Sequence, residues 1–259
     1  MSKKEKPNLP PVAPGADASR TGRRASAAAL MREQQARAKR RSVLIQVAVG
    51  LVAVVVVVAA VVVFANRDSS GSARTPAGLT ADGAVRFGEE DVPVVVQVVE
   101  DFQCPVCREF ESVAGDLLAQ YRDSDDVAVE YRPIAFLDEM SSTDYSTRAL
   151  NASMCVLDES GRDSWRSFAK SLFEQQPAEG SAGLPDRDLI DLAADAGASG
   201  DAIESCIEDR PYDGWAADTT QRTFDAGVTG TPTVFVNGEK LNGFDTATIE
   251  AAVQAARTS

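Results

Sequence analysis

Val92-Pro93-Val94-Val95-Val96-Gln97-Val98-Val99-Glu100-Asp101-Phe102-Gln103-Cys104-Pro105-Val106-Cys107 is the stretch that decides how this chain folds. Its first half has too few polar positions for a half-exposed strand, so Asp91–Phe102 reads as a central one. Its second half opens a helix over Cys104–Arg122. There Cys107, Phe110, Ala114, Leu117, Leu118 and Tyr121 recur at spacings of three and four, while Arg108, Glu109, Glu111, Ser112 and Asp116 fall on other faces. Pro105 suits the first helical position, where its missing N–H has no intrahelical partner to lose. A Cys-x-x-Cys pair between a buried strand and a helix start is the arrangement that thiol–disulfide exchange requires. Unpaired N–H groups and the positive end of the helix dipole favour a thiolate at the first cysteine. Cys107 heads the apolar stripe and Cys104 is left at an exposed tip. Cys104 is therefore the expected attacking thiol and Cys107 the shielded, resolving one.

Half of a zinc site is the rival meaning of this spacing. The chain has no histidine, and its other two cysteines, Cys155 and Cys206, do not form a second Cys-x-x-Cys. No metal and no other cofactor is expected.

Downstream, Val127–Pro133 reads as a strand. Residues 143–226 read as helices over Thr143–Asp158, Asp163–Gln175, Asp186–Ala196, Gly200–Asp209 and Tyr212–Ala226. Strand character returns at Thr231–Val236, and Asn237-Gly238 marks a tight turn into Lys240-Leu241. A last helix over Thr246–Ala256 starts after the capping candidate Asp245. The fold class is α/β: βαβ, a long helical block, then ββα.

Upstream, Val43 to Ala65 is a 23-residue stretch without a charge. As a helix it would be ~35 Å long, enough to cross a hydrocarbon core with some tilt. A cleaved signal peptide is the alternative, but its apolar region would be shorter and its leading segment far shorter than 42 residues. A permanent single transmembrane helix is expected. Residues 1–42 carry 11 of the chain's 26 Lys and Arg but only 3 of its 39 Asp and Glu, leaving residues 66–259 with 15 basic and 36 acidic groups. The basic cluster Arg37, Lys39, Arg40, Arg41 lies on one side of the span, which keeps the N-terminus cytoplasmic and exports the rest. The tail 1–42 reads as disordered or partly helical, with Ala27 to Arg41 attracted to anionic lipid. The acidic exported part would repel phosphate, which argues against nucleic acid as a partner. Residues 66–85, rich in Ser, Gly, Ala and Asp, read as a juxtamembrane linker, and residues 86–259 as the folded domain.

From about residue 90 onward the chain resembles the DsbA-like branch of the thioredoxin fold. The resemblance rests on CPVC at 104–107, GVTGTPTVFVNG at 227–238, and the order β-CxxC-α-β, helical insertion, ββα. It implies a thioredoxin-like fold interrupted by an all-helical insertion at about 143–226, here preceded by the transmembrane helix. It also implies a thiol:disulfide oxidoreductase whose Cys104–Cys107 pair, with Pro105 and Val106 between, oxidises thiols of exported proteins. Thr231-Pro232 would be cis, with Thr231 facing the cysteines and binding extended substrate; the alternative is a trans proline opening an edge strand. Recharging would fall to a quinone-linked membrane enzyme, DsbB-like or vitamin-K-epoxide-reductase-like (VKOR-like).

Cys155 and Cys206 are an even pair left over in an exported chain and are expected to be joined as a structural disulfide. Such a bridge also resembles what actinobacterial members carry. The alternative is two buried free thiols. Many thioredoxin-fold oxidoreductases place a buried carboxylate six residues before the first cysteine, where this chain has Val98. Glu100 and Asp101 lie nearer and read as solvated acids at a strand end. No histidine lies between the cysteines, so the direction of catalysis stays open. A reductase or isomerase, for example in cytochrome maturation, and a non-catalytic tethered binding or chaperone module are the other readings.

Overall fold

The computed structural model describes residues 74–258. The span expected at 43–65 and the tail 1–42 lie outside the described residues. Among those described, no helix is long and apolar enough to cross a membrane.

A five-stranded sheet organises the domain, in the order β1-β3-β2-β4-β5. Its strands are β1 (Val85–Phe87), β2 (Val94–Glu100), β3 (Val127–Pro133), β4 (Thr233–Val236) and β5 (Glu239–Lys240). β2 is central: it runs parallel to β3, with Val94 opposite Val127, and antiparallel to β4, with Val99 opposite Thr233. A central strand covered on both faces needs apolar residues at consecutive positions, and Val98, Val99 and Glu100 are all buried. β2 starts after Pro93 and β4 after Pro232, because proline has no N–H for the ladder. At the β4–β5 hairpin, Asn237 and Gly238 both take positive φ, 47° and 82°, which these two residue types tolerate. The Asn237 side chain also ties the turn to β2, accepting from Val95 N at 2.8 Å and donating to Pro93 O at 3.0 Å.

Among the described residues, six α-helices follow in chain order: α1 (Pro105–Arg122), α2 (Tyr145–Glu174), α3 (Asp186–Asp195), α4 (Asp201–Asp209), α5 (Asp213–Asp225) and α6 (Thr246–Arg257). α1 buries Cys107, Phe110, Ala114, Leu118 and Tyr121, the expected stripe with Leu117 only half-buried. Removing Phe110 alone from water contributes about 2–3 kcal/mol. The two expected helices across 143–175 are one element interrupted at Gly161, whose φ of 80° and ψ of −179° are non-helical. Asp245 caps α6 by accepting from Thr248 N at 3.0 Å. The order β2-α1-β3, four helices, β4-β5-α6 is the one the resemblance implies.

Within the helical block, Cys155 of α2 and Cys206 of α4 form a disulfide, with Cα atoms 5.9 Å apart. Beside it, buried Asn151 accepts from Tyr212 N at 3.1 Å and donates to Cys206 O at 3.4 Å. Arg148 pins the α2–α3 connection, donating to Ala182 O, Leu184 O and the Asp186 carboxylate.

The linker reading of 66–85 needs correction at its end. Residues 74–85 pack on the domain: Arg74 pairs with Asp158 at 2.7 Å, Leu79 bridges Val85, and Ala84 and Val85 are fully buried. β1 then pairs antiparallel with β3, Val85 opposite Tyr131, and covers what would be an open edge. Three residues are too few to display a period of two, so the composition of the preceding segment masked this strand.

Candidate active site

β2 ends at Glu100, and four residues later Cys104 occupies the N-cap position of α1, with φ −76° and ψ 116°. Pro105 takes the first helical position as expected, and Val106 is exposed. The turn between strand and helix is held from several sides. Buried Asp101 accepts from Gln103 N and Ser146 Oγ, both at 2.7 Å, and from Leu137 N at 2.9 Å, while its carbonyl accepts from Cys104 N at 3.0 Å. Gln176, just beyond α2, donates to Phe102 O at 3.0 Å and Cys104 O at 2.9 Å. Gln103 reaches back to Ala178 O and Ser181 O, both at 3.3 Å. The helical block therefore grips the backbone of the cysteine turn.

Thr231-Pro232 is cis, and Thr231 stands against the cysteine pair. As a thiol, Cys104 Sγ donates to Thr231 O at 3.4 Å. Only 6 % of Cys104 is exposed, which corrects the expectation of an open helix tip: the Thr231 segment covers it. Cys107 is fully buried, as expected of the shielded partner. Cys155 and Cys206 are joined to each other within the helical block and take no part in this turn.

The two sulfurs ionise in opposite directions. The Cys104 thiol is pulled down to about 6, first by a hydrogen bond from Cys107, then by one from Thr231 and by the N–H groups of Cys107 and Val106, all against the cost of burial. The Thr231 hydroxyl is buried without another partner, so a Cys104 thiolate is its natural acceptor. Cys107 is pushed well up by burial, by its role as donor to Cys104, and by the negative charges of Glu100 and Cys104. One thiol is thus an anion at neutral pH while its neighbour keeps its proton.

Glu100 and Asp101 are not solvated. Glu100 is 5 % exposed and Asp101 is fully buried. Burial raises both carboxyls, Asp101 to about 6; for Glu100, proximity to the Glu111 carboxylate adds to the rise. Both lie at the end of central β2, where other elements cover them, and this corrects the expectation of solvated acids. The central position of β2 was the signal that pointed to this. Nothing in the local sequence pointed to Gln176, Glu111 or Arg166, which reach the site through tertiary packing.

A family model described as Thioredoxin matches residues 80–255. Among solved structures, a disulfide bond oxidoreductase, DsbG, from Mycobacterium tuberculosis in its reduced form superposes with a TM-score of 0.60 at 32% identity, covering 68% of this chain and 88% of that one. Oxidised DsbA from the same organism gives a TM-score of 0.59 at 32% identity, covering 68% of this chain and 93% of that one. BdbD from Bacillus subtilis, at 24% identity and a TM-score of 0.58, shares the fold. The serine/threonine-protein kinase PknE of Mycobacterium tuberculosis is 36% identical over 129 residues, which are 48% of this chain and 22% of the kinase. The chain thus spans about a fifth of the length of that curated relative. With the cysteine turn, the cis Thr231-Pro232 bond and a match across most of the described residues, the chain belongs to the thioredoxin family, as a DsbA-like thiol-disulfide oxidoreductase.

Proposed function

We propose that this protein is an extracytoplasmic oxidase, anchored by residues 43–65, that introduces disulfides into exported proteins through Cys104 and Cys107. The observation that carries the reading is the opposed ionisation of the pair, with Cys104 near 6 and Cys107 raised. A thiol that ionises easily is a good leaving group and makes the reduced pair favourable, so the oxidised pair accepts electrons readily. A substrate thiolate attacks Cys104 Sγ and breaks the Cys104–Cys107 bond. A second substrate thiol then displaces Cys104, leaving a substrate disulfide and the reduced pair. Thr231 presents its backbone beside the reacting sulfur, where an extended substrate would lie. Exported cysteine-containing proteins are the substrates of this reading, and a DsbB-like or VKOR-like membrane enzyme removes the electrons.

Equilibration with glutathione buffers tests the direction. An oxidase predicts a potential at or above about −200 mV, whereas a value near the about −270 mV of thioredoxin would favour the reductase.

A further inference from the structure

A cleft of about 790 Å³ lies between α1 and the second half of α2. From α1 it is lined by Arg108, Ser112, Gly115, Ala119 and Arg122, whose spacings of four and three keep it on one face along the length of the helix. Arg108 and Arg122 are therefore ~21 Å apart along the axis. Neither Cys104, Cys107, Thr231 nor Pro232 lines this cleft. One end of it nevertheless adjoins the cysteine turn. Arg108 follows Cys107 directly, and Phe173 and Glu174 lead into Gln176, which holds the Cys104 carbonyl.

Charge sets the cleft apart from the rest of the domain. Residues 66–259 carry 15 basic groups against 36 acidic ones, yet Arg108, Arg122, Arg162, Arg166 and Lys170 all line this one space. Arg166 is taken by Glu111 and Lys170 by Glu174. Among the described residues, no carboxylate pairs with Arg108, Arg122 or Arg162. Arg122 and Arg162 are held over the Phe87 ring, 5.5 Å and 5.8 Å from its centre. Asp116, Asp123 and Asp163 also line the cleft and are exposed, so a dense polyanion is disfavoured. Carboxylates spaced along a chain can meet the free guanidiniums and avoid these acids.

Gly115 adds a steric sign. It lies inside α1, and a Cβ there would meet only Glu111 Oε2, at an ordinary 3.6 Å. Glycine weakens a helix interior relative to alanine, and nothing in the packing of this chain requires it here. The space it leaves lets another backbone approach the helix closely.

We propose that the α1–α2 cleft is an exosite for an extended acidic segment of the exported substrate, occupied while a cysteine of that substrate reacts at Cys104. The proposal rests on the oxidase reading and names a class of its substrates. An extended chain rising ~3.3 Å per residue covers the distance from Arg108 to Arg122 with about six residues. Alternate side chains of such a chain point the same way, so Glu or Asp at every second position faces the guanidiniums of Arg108, Arg122 and Arg162. Everywhere else the surplus of acids repels the segment, which gives the exosite its discrimination.

Single-turnover oxidation of dithiol peptides by the oxidised full-length protein tests this. Each peptide carries two cysteines and a flank of about six residues, before or after them, alternating Glu with Ala or Gln with Ala. The Cys104–Cys107 disulfide is the oxidant: it takes two electrons from the peptide thiols, which become a disulfide. The Glu peptide is expected to react about ten-fold faster on at least one flank at low salt, and the preference to fade as salt rises. Arg122→Gln/Arg162→Gln should bring the ratio of the two rates towards one. So should Gly115→Leu, which fills the cleft without changing its charge and carries the test should the double variant fail to fold. Arg187→Gln/Lys240→Gln removes two cations outside the cleft and should leave the ratio as it is. A ratio at or below one on both flanks, a preference that survives the cleft variants, or an equal loss in the outside variant overturns the exosite. Failure of the unsubstituted protein to oxidise either peptide would instead overturn the oxidase reading.

Discussion

At the level of single residues, the chemistry comes from unequal treatment of two identical side chains. Cys104 collects four hydrogen bonds that favour its anion, whereas Cys107 supplies two of them, from its thiol and its N–H, and is itself sealed in. The consequence for stability has a definite sign. The folded pKa of Cys104 is depressed to about 6, below the ~8.5 of an unfolded thiol. The reduced protein therefore holds its full thiolate stabilisation above pH ~8.5 and loses it as pH falls through about 6, a span of roughly 3 kcal/mol. The oxidised protein has no such thiol, and the titrations of Asp101 and the surface acids are largely common to both states. Denaturant unfolding of the two forms should show their stability difference rising from pH ~6 to ~8.5, and Cys104→Ser, which has no oxidised form, should lack the rise in stability that the reduced protein shows over that range. That Cys107 heads the buried stripe of α1 was legible from the helical spacing, whereas the cover over Cys104 was not. The burial of Glu100 and Asp101 was not, because a strand's period tells which face a residue occupies and not what covers that face.

Among the elements, long periodic segments were read well and short ones poorly. β3 runs over Val127–Pro133 as the sequence indicates, and α3, α4 and α5 each differ from their expected bounds by one residue at one or both ends. β1, three residues after a Gly- and Ser-rich stretch, left no pattern to read. The helices of the insertion have few long-range anchors in sequence, and the Cys155–Cys206 bridge supplies one across a separation of 51 residues. The chain-entropy model assigns a loop of this size about 4 kcal/mol. Cys155→Ala/Cys206→Ala should lower the unfolding free energy by about that amount, while the Cys104–Cys107 pair keeps its exchange with glutathione. Loss of exchange in a still-folded double variant would make the second pair part of the redox machinery.

Over the whole molecule, charge and hydropathy divide the sequence into a basic tail, an apolar stretch and an acidic remainder. The basic tail at 1–42 and the apolar span at 43–65 precede the described residues, and the membrane topology drawn from them remains part of the proposed function. Within the described residues, the helical block meets the cysteine turn through Gln176 and Gln103, and α2, its first helix, lines with α1 a cleft that includes Glu111 and Arg166. The insertion therefore helps to build the site and does not merely decorate the sheet. Contacts of this kind join residues more than fifty positions apart, which no local pattern in the sequence records. The proposed function converges on the Cys104 sulfur beside Thr231. Thiolate absorbance of the reduced full-length protein, followed against pH, reads that sulfur directly. The account predicts one ionisation near pH 6, absent in Cys104→Ser, with Cys107 still protonated well above pH 9. A single step near the ~8.5 of a free thiol would contradict it.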